Sequence, residues 1–236
     1  MSDLLLDRLL DVPRDRSAVS AVRDTRTGAW AHLTWDELRA AVRKAAGEAG
    51  ERGARRTWVG RGASQLIGDL ALQFAGVVGT LGEGEPLTAG RDDPGRLVRM
   101  RQETRPRDAA VVVGGRTLDH GEVAALAERA AKRLCPTPGL LPEVILSTVD
   151  AETDQVLGWA AVWGGLTLVT TEPGRRESVD PSVWVCTPGQ LSVANLKGCG
   201  TVQRLRGDGP RLRRVFVVGT VPDVRIEGIE VSPWTL

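Results

Sequence analysis

The chain is predicted to be an α/β protein built of two similar halves, each a largely parallel sheet flanked by helices. Three observations lead there. Apolar runs of strand length alternate with amphipathic or apolar runs of helix length. Hydroxyl or carboxylate side chains stand where helix N-termini need them. The same order of elements is met twice along the sequence.

In chain order, Asp3–Leu10 carries a stripe of leucines at helical spacing that Val12-Pro13 ends. Ala18–Asp24 and Ala29–Leu33 flank the polar turn Thr25-Arg-Thr-Gly28 and predict a hairpin. Thr34-Trp-Asp-Glu37 is a capping box opening a helix over Trp35–Ala49. Arg55–Val59 reads as a strand, Gln65–Val78 as an apolar helix, and Gly76-Val-Val-Gly-Thr-Leu81 leads into Gly82-Glu-Gly-Glu-Pro86. From Thr88 to Arg107 the composition turns charged, marking a connector with a helix at Pro94–Glu103. The pattern then restarts: Ala109–Val113 and Arg116–Leu118 flank Gly114-Gly115, and Asp119-His-Gly-Glu122 repeats the capping box. An apolar strand, Glu143–Ser147, a second apolar helix and a strand closing on Glu172-Pro173 complete the repeat. Beyond it, Ser182–Cys186 is a strand, Thr187-Pro188 opens a helix to Lys197, and Arg214–Gly219 and Val224–Val231 are further strands.

Leu33, Glu37 and Ala45-Ala46 match Leu118, Glu122 and Ala130-Ala131 at one constant spacing, and Gly76 and Pro86 match Gly165 and Pro173. A duplication accounts for this, with segments 1–90 and 108–236 joined by a connector at 91–107. One continuous sheet of look-alike βα units is the alternative.

Composition bounds the function. The 236 residues are 42% hydrophobic and 26% charged, ordinary globular material. A net charge of +1 gives no bulk attraction to nucleic acid or anionic membrane. The N-terminal leucines are interrupted by acids and Arg8, unlike a signal peptide or membrane span, so a cytoplasmic location is expected. Cys135, Cys186 and Cys199 are widely spaced and the chain has only two histidines, so neither a disulfide framework nor a metal site is expected. His32 and His120 flank helix caps. Gly60-Arg-Gly62-Ala-Ser-Gln65 lacks the third glycine of a dinucleotide fingerprint, and Gly198-Cys-Gly200 follows a helix.

The stretch Thr117–Pro173, and its upstream copy Leu33–Pro86, resemble the N-terminal region of adenylate-forming enzymes: acyl-CoA synthetases, acyl-AMP ligases and peptide-synthetase adenylation domains. The resemblance implies scaffold and pocket wall rather than catalytic machinery. The family's phosphate loop, a Thr/Ser/Gly run ending near a Lys, is not found, and its Tyr-Gly-x-Thr-Glu segment cannot occur in a chain without Tyr. Arg204-Leu-Arg-Gly-Asp-Gly209 only echoes the ribose segment. No catalytic residue and no cofactor are therefore carried over.

Four residues are ligand or interface candidates. Trp159 and Trp163 lie four apart on one helical face and either fill core or line a pocket or interface. Asp154 beside Glu152 could serve as an acid/base pair or as a cap. Gly165 is the counterpart of Gly76 in the repeat. The expected role is that of an inactive relative binding a protein partner: a carrier protein, a full-length synthetase or a second copy. The alternatives are a subunit completing a ligase site in trans and a binder of acyl or nucleotide ligands.

Overall fold

The computed structural model describes residues 4–11, 20–24, 32–50, 55–58, 62–81, 93, 95–136, 144–171, 181–191, 212–223 and 228–235. The first half comprises helix α1 (Leu5–Leu10), hairpin strands β1 (Ser20–Asp24) and β2 (Leu33–Thr34), α2 (Trp35–Gly50), β3 (Arg55–Trp58), α3 (Ala63–Phe74) and β4 (Val78–Leu81). Helix α4 (Arg96–Glu103) leads to hairpin strands β5 (Ala109–Val113) and β6 (Arg116–Asp119), then α5 (His120–Leu134), β7 (Val144–Ser147), α6 (Ala151–Gly164) and β8 (Thr167–Thr170). Strand β9 (Val183–Cys186), a 3-10 turn at Pro188–Gln190, β10 (Arg214–Val217) and β11 (Glu230–Pro233) follow.

Local chemistry sets the helix ends. At α2, Thr34 N donates to Glu37 Oε2 at 2.8 Å and Glu37 N to Thr34 Oγ1 at 3.2 Å. At α5, Asp119 and Glu122 repeat the exchange at 3.0 and 2.7 Å. Helix α3 stops at Phe74 rather than continuing to Val78 because Gly76 takes a left-handed φ of 65°. Gly114 and Gly115, both at positive φ, form the tight turn expected between β5 and β6. The helix predicted from Pro188 to Lys197 is a single 3-10 turn through Gln190, held when the Gln190 side chain accepts from Thr187 N at 2.9 Å; 192–200 lie outside the described residues. Strand β11 starts only at Glu230, and α4 at Arg96.

The strands form two sheets. One has seven strands in the order β11-β10-β9-β7-β8-β1-β2, the other four in the order β3-β4-β5-β6. All neighbours are parallel except within the two hairpins. The halves match in register as well as order: Arg55 faces Val78 as Val144 faces Thr167, and Gly79 faces Val111 as Leu168 faces Val22. Even the bulge between Ala109 and Val111 recurs between Ser20 and Val22.

Each hairpin, however, pairs with a strand from the other side of the sequence division. β1 adds to β8 and β5 adds to β4, so hydrogen bonding crosses the sequence division between 1–90 and 108–236. The arrangement is two sheets, not one continuous sheet. Helix α3 touches β3, β4 and β5 of one sheet and β1 of the other, and it also touches α6. Both helices are therefore apolar around most of their circumference, as a sandwiched helix must be. A smaller cluster, including Trp184, Leu212 and Val217, packs around β7, β9 and β10.

Candidate functional site

The sequence candidates sit mostly inside the protein. Trp159 is fully buried, and its Nε1 donates to the Asp69 carboxylate. Trp163, one turn on, is partly buried, with the Arg8 guanidinium 4.7 Å from its ring centre. The two tryptophans thus share a helix face without sharing an open surface. Asp154 is buried and accepts from Ser147 Oγ, while Glu152 is exposed, so the two do not form an acid/base pair. The cap of α6 is Asp150, which accepts from Thr153 N at 2.9 Å. Gly165 closes α6 in the left-handed region at φ 63°, ψ 35°.

Asp69, which the sequence reading passed over, is the centre of this region. Its carboxylate accepts from Trp159 Nε1, from Gln73 Nε2 at 3.0 Å and from Gln155 Nε2 at 3.1 Å. Burial pushes its pKa up to about 6, while the hydrogen bonds from Trp159, Gln73 and Gln155 pull it down. Asp69 belongs to α3 and Trp159 to α6, so the cluster ties the two central helices together. A cavity of about 10 Å³ lies beside it, lined among others by Asp69, Asp154, Gln155 and Thr170, with room for a single water. An acid four residues before a glutamine within an apolar helix was the available signal.

The open concavity is elsewhere. A cleft of about 480 Å³ lies between α4 and the C-terminal ends of α2 and α3, with Asp108, Ala109 and His120 along its far side. Its volume is that of a small-ligand site. Arg96 packs on Gly47, where a Cβ would meet the guanidinium at 1.9 Å, and donates to the Arg43 carbonyl of α2 at 3.3 Å. Arg99 is tied to Asp93. Burial holds the His120 imidazole below its ordinary pKa, against the opposing pull of the Asp108 and Asp119 carboxylates. These residues come from five separate elements, so no sequence motif announces them. Among the described residues no group of three or more His, Cys, Asp or Glu is placed to hold a metal ion, and no helix is long and apolar enough to cross a membrane.

No protein-family model and no curated protein matches the sequence. Solved structures do match. VinN in complex with L-aspartate superposes with a TM-score of 0.67 at 13% identity, over 94% of this chain and 71% of that one. The fatty acyl-adenylate ligase from L. pneumophila, in complex with acyl adenylate and pyrophosphate, gives 0.67 at 9% identity, over 93% and 50%. The fold is that of adenylate-forming enzymes. The AMPPNP-bound non-ribosomal peptide synthetase FmoA3 is likewise similar, with a TM-score of 0.61 at 19% identity, and the chain spans 29% of it. The resemblance of fold expected from Thr117–Pro173 thus extends over nearly the whole chain, while the chain spans from 29% to 71% of these adenylate-forming relatives.

Proposed function

We propose that this chain is a catalytically silent relative of the acyl- and aminoacyl-adenylate-forming enzymes, working as an accessory, protein-binding component in acyl or natural-product metabolism. The observation that carries this reading is the unequal growth of two otherwise matched sheets. β9 covers the outer edge of β7, whereas β3, the counterpart of β7, has no strand on that edge among the described residues. An open edge offers a row of main-chain donors and acceptors that a partner strand satisfies. A carrier protein, a full-length synthetase or a second copy of the chain is the partner class expected. Catalytic silence is supported by the sequence, which has no Thr/Ser/Gly run ending near a Lys to neutralise a triphosphate.

The test joins light scattering across a concentration range with a pull-down from the native host and amide exchange at 55–58. A complex that slows exchange at β3 is expected. A strict monomer that recovers no partner and whose β3 amides are already protected removes the reading. A second reading, a small-ligand binder, draws its support from the cleft between α4 and the body. The in-trans reading is distinguished by adding any recovered partner to an adenylation assay.

A further inference from the structure

The cleft has a charge pattern as well as a volume. Positions 96, 99, 100 and 103 of α4 face it, one stripe of the helix, with Thr104 just beyond its end. Arg96 and Arg99 stand toward the start of α4, and Glu103 lies one turn past Arg99 and two past Arg96. At 1.5 Å per residue these are separations of about 6 Å and about 10 Å along the axis. Phe74, Ala75, Met100 and Ala109 supply apolar surface between the charged groups. Asp108 adds a second carboxylate. Arg99 engages Asp93 through Nη2, and a guanidinium has five N–H donors in all. Glu103 is exposed and makes no ion pair among the described residues.

His120 is the other unusual group. It is only 6% exposed, its backbone N donates to the Asp108 carbonyl at 3.1 Å, and its imidazole makes no hydrogen bond among the described residues. A neutral imidazole offers one donor and one acceptor to whatever enters. A phosphate or other dianion would meet Glu103 and Asp108, and a simple cation would meet Arg96 and Arg99. The complement of this wall is a molecule carrying both signs.

We propose that the cleft binds a zwitterion whose ends are joined by a short apolar spacer, the carboxylate on the Arg99 side and the ammonium between Glu103 and Asp108. This rests on the ligand-binding reading above and names its ligand class. The test is an NMR titration of the full chain with γ-aminobutyrate and ε-aminocaproate, using hexanoate and hexylammonium as single-charge controls. Shifts are expected at the amides of Gly47, Gly76 and Ala109, with ε-aminocaproate binding about tenfold or more tightly than either control, as the loss of one charge-assisted contact requires. Glu103→Gln, at an exposed position, should leave the fold intact and reduce ε-aminocaproate binding to the level of hexanoate. Equal binding of hexanoate and ε-aminocaproate would overturn the zwitterion assignment while leaving the ligand reading. Absence of shifts with every probe at tens of millimolar would overturn both.

Discussion

Asp69 is a buried carboxylate where the two halves meet, between α3 and α6. Three neutral donors hold it, yet burial still raises its pKa to about 6. A carboxyl raised in the folded state stabilises below its unfolded pKa, and that stability is lost as pH rises through the folded value. From near 3.8 to about 6, the loss amounts to about 3 kcal/mol. Denaturant unfolding of the wild type and Asp69→Asn from pH 4 to 7.5 should therefore show the wild type losing ground as pH rises. Parallel profiles would remove the account. The tryptophans separate on burial: Trp159→Ala should cost about 3 to 5 kcal/mol. Trp163→Ala forfeits partial burial and the Arg8 contact, about 1 kcal/mol. Equal costs would mean that Trp159 is not the internal residue its position indicates.

At the level of elements, the paired caps and paired glycine stops allow one half to serve as control for the other. Gly76→Ala and Gly165→Ala both force a Cβ into the left-handed region, at a conformational cost of about 1 to 2 kcal/mol each, and at Gly76 nothing lies within 4 Å of the added Cβ. Asp119→Ala should cost about 1 kcal/mol through the lost capping bond to Glu122 N. Thermal denaturation of the three variants checks these values, and a neutral Gly165→Ala would contradict the cap geometry. Such features were legible in the sequence because they are local: Thr34 with Glu37, Asp119 with Glu122, and Gly114-Gly115 each declare themselves within a few residues. Strand pairing was not. That β5 joins β4 while β1 joins β8 depends on contacts far apart in sequence, and the alternation of strand and helix is the same for either pairing. The cleft was hidden for the same reason, since Gly47, Gly76, Arg96 and His120 meet only once four elements have packed.

At the scale of the whole molecule, the reciprocal placing of the hairpins makes the halves mutually dependent. Neither sheet is complete from 1–90 or 108–236 alone, because β1 and β2 complete one and β5 and β6 the other. Unfolding should accordingly be one cooperative transition by both tryptophan fluorescence and far-UV circular dichroism. Two separated transitions would show that the halves stand independently. The likeness of fold to adenylate-forming enzymes covers nearly all of this chain while reaching only part of theirs. The most direct measurement is acid-dependent ATP–pyrophosphate exchange by the homogeneous protein, across a panel of carboxylic and amino acids. The account predicts no exchange above the protein-free background. Exchange that a single point substitution abolishes would contradict it.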